Sequence, residues 1–303
     1  MEKVFRDYFC KHIDKKNLAV DGKWLNGSGV SGQYIDEPKK IMFNVLDKDT
    51  KLVAGHKLIG EDKRSEIAVF KELLDDKEFF AKGQVFSFDA LTTQVSIIDK
   101  INNDGNFYLA YVKGNQANLQ KKVISTIDTF QKPTEIYEDD KLDYIVERNK
   151  YVHRRVEIFQ NKDCDIVMFD NKFENIQTLI KTIKTTTDKK TGEKKETIKY
   201  MIANYKESAE DFKNRILQHW LVETNHFFLD TLFEEDAHNA YKNPFGMSIL
   251  RSFALNLYQL FFNQNRGEKI IINGRKKQAK LTMAKLKQYC SEEDELIFEL
   301  FEL

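Results

Sequence analysis

From residue 17 to residue 112, apolar runs of strand length alternate with stretches of helical periodicity, and that order constrains the fold more than any other feature. NLAVDGKWL at 17–25 is strand-like, and KKIMFNVLD and KLVAGHKLI, joined by the turn-like KDT at 48–50, read as an antiparallel hairpin. A helix suits 64–76, where Ile67, Phe70, Leu73 and Leu74 fall on one face. QVFSFDAL at 84–91 is again a strand, TTQVSIIDKINND a helix, and NFYLAYVKG from 106 a further strand. This is an α/β order: the helices supply crossovers and the hairpin adds antiparallel strands to the sheet. Ahead of it, residues 3–13 suit a short amphipathic helix.

Between about 120 and 206 the texture changes to β-branched, charge-alternating strands: LDYIVERN, RRVEIFQ, DCDIVMF, and the pair QTLIKTIKTT and ETIKYMIAN around DKKTGEKK. That pair reads as a long hairpin whose tip carries Gly192 and the lysines Lys189, Lys190, Lys194, Lys195 and Lys199. Helices resume near 208, with SAEDFKNRILQHWLVETNHFFLDTLF as one long amphipathic run and GMSILRSFALNLYQLFF as another. From 266 to 287 the chain is at its most basic, and Arg275, Lys276 and Lys277 stand there as either a solvated surface or a phosphate contact.

Only three prolines and no Gly-, Ser- or Pro-rich tract interrupt the 303 residues, so no flexible linker is marked and one elaborated domain is the expectation. Lysine and arginine number 48, as do aspartate and glutamate, so overall charge does not mark a nucleic-acid binder and local clusters must do so. Cys10, Cys164 and Cys290 are isolated and odd in number, which suits reduced thiols and argues against a disulfide framework. The first twenty residues lack the apolar core of a signal peptide, and no stretch approaches the roughly 20 apolar residues of a bilayer span. A cytoplasmic protein with no membrane partner is expected.

Two of the strand-like runs each carry one aspartate, Asp21 and Asp89, near the strand end at which open α/β sheets place their sites. A carboxylate in an apolar strand is costly unless something pairs with it. If the two strands are neighbours the carboxylates converge, and a divalent cation relieves their repulsion; carboxylate-only ligation favours Mg²⁺ or Mn²⁺ over zinc. A third acid completes such a site. Of the acids after residue 208, Glu223 stands out for its apolar and aromatic setting, HWLVETNHFF. Each acid also has an ordinary reading: Asp21 before Gly22 suits a turn, Asp89 suits the cap of a helix starting near Thr92, and Glu223 suits an ion pair with Arg215 or Lys213.

The series DGK at 21–23, EIAVFKELL at 66–74, FDALTTQ at 88–94, FYLAYVKGNQANL at 107–119, HRRVE at 153–157, KYMIAN at 199–204, HWLVE at 219–223, LDTLFEED at 229–236 and LRSFALNLY at 250–258 resembles, in order, the H-repeat-associated family of insertion-sequence transposases. These are DDE transposases, related to the insertion-sequence type 4 group. The resemblance implies an α/β, ribonuclease-H-like mixed sheet flanked by helices, with a β-rich insertion before the last catalytic helix. On that pattern residues 17–116 are the first part of the core, 117–206 the insertion, 207–262 the catalytic and final core helices, 263–303 a basic then acidic tail, and 1–16 a remnant N-terminal helix.

Residue by residue, the resemblance implies that Asp21 is the first catalytic aspartate, Asp89 the second and Glu223 the third acid, the three acting as metal ligands. Two Mg²⁺ or Mn²⁺ ions per site are implied, about 3.5 to 4 Å apart, with Asp21 bridging both. The implied activity is cleavage of DNA at transposon ends and transfer of the freed 3′-hydroxyl to target DNA. DNA is therefore the implied partner, with a homodimer on paired ends and a bacterial, nucleoid-associated location. Lys23, Lys113, Asn115, Gln116 and His219 are candidate DNA contacts, although KGNQ at 113–116 also reads as a plain turn and His219 as packing that fixes Glu223. The chain departs from the family in three respects. About twenty residues precede Asp21 where several tens more are usual, Thr224 follows the glutamate where asparagine is usual, and Asp230 stands near where related enzymes place a basic residue. A shortened or domesticated DNA-binding protein without transposition activity is the alternative.

Overall fold

The alternation at 17–112 is realised, in a computed structural model, as strands flanked by helices. The structure describes residues 1–31, 36–37, 39–59, 65–76, 80–130, 132–139, 150–161, 166, 173–237, 242–265, 269–272, 275–278 and 282–303. The chain opens with α1 (Glu2–Phe9), β1 (Asn17–Leu25), β2 (Val30–Ser31), β3 (Asp36–Glu37), β4 (Lys40–Asp47), β5 (Val53–Ile59) and α2 (Ser65–Leu74). It continues through β6 (Val85–Phe88), α3 (Val95–Asn103), β7 (Phe107–Val112), α4 (Ala117–Thr129), β8 (Glu135–Asp139), β9 (Lys150–Gln160), β10 (Thr178–Asp188) and β11 (Lys194–Ala203). Last come α5 (Ala209–His219), α6 (Leu221–Leu232), α7 (Pro244–Gln264), β12 (Lys269–Ile272), β13 (Arg275–Gln278), α8 (Met283–Glu292) and α9 (Asp294–Phe301). These elements fall into two compact units: Met1–Val69 with Trp220–Leu303, and Phe70–His219.

In the first unit β5, β4 and β1 run antiparallel, with Leu18 opposite Asp47 and Leu25 opposite Lys40. The turn at 48–50 is tied by the fully buried Asp47, whose carboxylate accepts from Asp14 N, Asp49 N and Thr50 Oγ1. Burial pushes that carboxyl above the usual range, and the three donors oppose the shift. Strand β5 finds a hydrogen-bonding neighbour in a side chain of α7. Asn256, fully buried, accepts from Val53 N at 2.8 Å and donates to Val53 O at 2.9 Å, so its amide stands in for a peptide group. Helix α7 itself starts where sequence chemistry allows: Asn243 accepts from Gly246 N and Pro244 occupies the first turn. Helix α1 adds Phe5 and Phe9, which meet the rings of His56 and Phe253.

In the second unit β6 and β7 are parallel, with Val85 opposite Phe107, and β11, β10, β9 and β8 continue the sheet antiparallel from β7. The parallel pair needs a crossover, and α3 makes it by burying Ile97, Ile98 and Ile101 along one stripe. Val85, Leu109, Val156, Ile158, Ile180, Met201 and Phe212 form the core. Each such side chain contributes about 1.5 to 3 kcal/mol by leaving water.

The α/β class expected from the sequence holds, and three differences from the expected elements stand out. The single long helix after residue 208 is two helices, divided at Trp220. The stretch from 117 begins with α4, because Leu119, Val123 and Ile127 recur at helical spacing ahead of the first strand. The basic run after 266 contains the paired strands β12 and β13, which its charge pattern does not announce. LDYIVERN and all of DCDIVMF except Ile166 lie outside the described residues. Among those described, no helix is long and apolar enough to cross a membrane.

Candidate active site

Asp21 is the fifth of the nine residues of β1, opposite Asn44 of β4. The strand runs straight through Asp21 and Gly22, so the turn reading fails and Asp21 lies mid-strand. Gly22 is present for space. A Cβ there would stand 2.5 Å from Oε1 of Glu66, the buried first-turn acid of α2, so the glycine lets a carboxylate lie against the strand backbone.

Helix α6 packs on β1 and brings His226 to Asp21, Nδ1 to Oδ2 at 3.7 Å. Asn44 Nδ2 lies 2.9 Å from His226 Nε2. With the amide as donor, Nε2 accepts and the ring proton sits on Nδ1, facing the Asp21 carboxylate. Burial, with the positive charge of Lys23, pushes the imidazole down to about 3, so it meets Asp21 as a neutral ring. Glu223 lies three residues earlier on the same helix, hence one turn along the same side. Its side chain is exposed, as are those of Trp220 and Phe227, while Val222, Leu229 and Leu232 of the same helix are buried. Of the cations suggested as ordinary partners for Glu223, Arg215 pairs with Glu207 and Lys213 with Asp139 at 3.1 Å.

Lys23, two residues beyond Asp21 on β1, is buried. Its ammonium lies 2.7 Å from Asp230 Oδ1, 3.2 Å from Glu235 Oε2 and 3.2 Å from Asp236 Oδ1. The expectation that Lys23 meets DNA is therefore not met: its charge is enclosed and already shared by three carboxylates. Burial works against the charged ammonium, but Glu235, Asp230 and Asp236 together hold it above the ordinary lysine range. Asp236 also accepts from Asn26, through both its backbone N and Nδ2; burial raises its carboxyl, but these bonds together with Lys23 lower it.

In the second unit, Asp89 is the first residue after β6. It does not cap a helix at Thr92, since α3 starts at Val95; its Oδ1 accepts from Leu91 N at 2.8 Å and Thr92 N at 3.3 Å and so shapes the turn after the strand. Thr92 and Thr93 hydroxyls donate back to Asp89 O. The turn is then tied from outside. Asn115 Nδ2 donates to Ala90 O at 3.2 Å, and Gln116 Nε2 donates to Thr93 O. The amide nitrogens of both candidates thus hold the loop that carries Asp89. Lys113 is exposed beside them. His219 is buried, its Nδ1 3.0 Å from Ser87 Oγ and its ring against Tyr111, so the packing reading prevails over DNA contact. Arg275, Lys276 and Lys277 lie on β13, and the described structure extends only to their backbone.

Sequence reasoning missed His226, Asn44 and Glu66. The signal for His226 was its spacing of three from Glu223; that for Glu66 was a glycine inside an apolar strand, which marks a close approach as often as a turn. Asp21, Asp89 and Glu223 offer carboxylate oxygen alone, a donor chemistry that fits Mg²⁺ or Mn²⁺. Among the described residues no three His, Cys, Asp or Glu side chains are gathered into a metal-holding group.

Comparison with known proteins identifies the family of the chain. Residues 18–257 match the family model described as "Transposase DDE domain". The chain is similar to "Putative protein YbfL" of Escherichia coli strain K12, 29% identical over 74% of this chain and 58% of the relative. It is 27% identical to "H repeat-associated putative transposase YhhI" of the same strain, again over 74% of this chain and 58% of the relative. A solved structure, the piggyBac transposase synaptic complex with hairpin DNA, aligns with 95% of this chain and 54% of that one at 10% identity and a TM-score of 0.48, too remote to carry an argument. The chain thus spans a little over half the length of these curated relatives. With 18–257 matched, well over half of its residues, the chain belongs to the transposase DDE domain family.

Proposed function

We propose that the protein is a DDE-type transposase with a ribonuclease-H-like core, catalysing divalent-metal-dependent cleavage and transfer of DNA strands for an insertion sequence. The observation that carries the reading is the family match over 18–257, which contains Asp21, Asp89 and Glu223 together. The β1–α6 packing, which sets Asp21 against His226 one helical turn from Glu223, supports it.

In this reading Asp21, Asp89 and Glu223 hold Mg²⁺ or Mn²⁺, two ions per site. Bound metal supplies acidity to a water or a DNA 3′-hydroxyl and stabilises the departing oxygen. The chain's own groups keep the acids ready. His226 directs its Nδ1–H at Asp21 and, being neutral, adds no competing cation; Asn44 fixes that tautomer. The Asn115 and Gln116 amides hold the turn of Asp89. The partners are transposon-end and target DNA, with a homodimer pairing two ends in a bacterial cytoplasm.

The test is purified protein incubated with DNA carrying the element's ends and Mn²⁺. Asp21→Asn, Asp89→Asn and Glu223→Gln are each expected to lower nicking and strand transfer at least about a hundredfold. Cutting at the wild-type rate by the Asp89 variant would overturn the assigned site, and DNA binding by a wild-type protein that does not cut would favour a DNA-binding derivative without transposition activity.

A further inference from the structure

Where α6, α7 and the turn after β4 meet, the first unit contains a cavity of about 340 Å³. Its apolar walls are Leu221 and Phe228 of α6, Leu255 and Phe262 of α7, and Met283 at the start of α8. None of Asp21, Asp89 and Glu223 lines it. The volume is that of a small-molecule site, and two aromatic rings with a thioether favour a flat, polarisable occupant.

Polar side chains interrupt this lining at a few points. Lys51 is exposed, and among the described residues no carboxylate pairs with its ammonium. Its backbone stands at φ 63°, in the left-handed region where glycine is the ordinary residue and a side chain is disfavoured. Two bonds hold it there: Lys51 N donates to Asp47 O at 2.8 Å, and Asn263 Nδ2 donates to Thr50 O at 2.7 Å. Gln259, which also lines the cavity, donates through Nε2 to the same Asn263 at 2.8 Å, so its Oε1 is left to accept. Asn225 is buried at the wall, and its Oδ1 has no hydrogen-bond partner among the described residues. A cation in a strained turn and two amides with unused acceptors therefore share one apolar cavity.

We infer that this cavity binds a small aromatic monoanion that carries an N–H donor. The anionic group pairs with Lys51, the ring packs on Phe228 and Phe262, and the N–H answers an amide oxygen of Gln259 or Asn225. A neutral hydrocarbon leaves all three polar groups unanswered, and a cation is repelled by Lys51.

The experiment titrates the full chain with 8-anilinonaphthalene-1-sulfonate, whose sulfonate, fused ring and anilino N–H supply the three features, and follows its fluorescence. Saturation at one probe per chain is expected, with displacement by indole-3-acetate. Lys51→Gln is expected to weaken binding about fivefold and Lys51→Arg to restore it. The uncharged analogue N-phenyl-1-naphthylamine is expected to bind the wild type and Lys51→Gln alike. Leu221→Trp, which places an indole in the cavity, is expected to abolish the bound signal, with circular dichroism confirming that the variant folds. Phe298→Ala removes an exposed ring of α9 outside the cavity and is expected to change nothing. A Lys51→Gln variant that binds the sulfonate as tightly as the wild type overturns the assignment, as does a stoichiometry well above one that falls with Phe298→Ala. Displacement by a single-stranded oligonucleotide and not by indole-3-acetate overturns it in favour of an unpaired nucleotide.

Discussion

Lys23 shows how burial decides a side chain's role. The sequence places it beside Asp21 in DGK, as a candidate DNA contact. Folding places its ammonium among Asp230, Glu235 and Asp236, so its charge fastens β1 to α6 and the segment after it. Asp230, acidic near where related enzymes place a basic residue, thus receives its cation from β1. Because the lysine's pKa is held above its unfolded value, its contribution to stability is complete at neutral pH and is lost only as pH rises through the folded value. Lys23→Met leaves the three carboxylates uncompensated and is expected to cost about 3 kcal/mol, part of the usual figure because two of the acids are about a third exposed. Urea unfolding measures it, and the affinity of the folded fraction for DNA should stay unchanged. Glu223 was legible from its neighbours, but for a reason the fold does not bear out: the acid faces out, and Trp220 and Phe227 beside it in the sequence are exposed as well, while α6 buries Val222, Leu229 and Leu232. Asp21 was legible as an acid in a strand. Its neutral companion His226 was not, because nothing local in HWLVETNHFF announces that β1 and α6 will meet.

At the level of elements, periodicity was reliable wherever one face is buried, and weakest where two elements share one period. The helix at 64–76, the hairpin around the turn at 48–50 and the ribbon around DKKTGEKK all stand close to their expected places. The break between α5 and α6 was invisible because apolar residues continue at helical spacing through His219, Trp220 and Leu221. Only tertiary packing divides them: His219 is held by Ser87 in the second unit, whereas α6 packs within the first. Asn256 was equally hidden, a polar residue in the apolar run LRSFALNLY. Its amide serves both backbone groups of Val53, so Asn256→Ala strands a buried N–H and a buried C=O and is expected to destabilise the protein by about 2 to 4 kcal/mol. A lowered urea midpoint with an unchanged slope would confirm that the loss is in the folded state.

Across the whole molecule, 48 lysine and arginine residues balance 48 aspartate and glutamate residues, and charge becomes informative only locally, as where Lys23 meets three carboxylates. The expectation of one elaborated domain followed from the absence of a linker, yet the chain forms two compact units without one, because the second is inserted whole into the first. In a fragment ending at residue 219, β1, β4 and β5 lack α6 to α9, and their amides are expected to exchange hydrogen rapidly while those of β9 to β11 stay protected; exchange mass spectrometry distinguishes the two. The same insertion imposes a timetable on a chain leaving the ribosome. The early strands that carry Asp21 must wait for about 150 residues to be made, a delay of roughly 8 to 30 s at bacterial elongation rates, before the helix bearing Glu223 emerges to cover them. The segment with Asp89 is meanwhile complete. For that interval the unfinished sheet of the first unit is the part most in need of a chaperone.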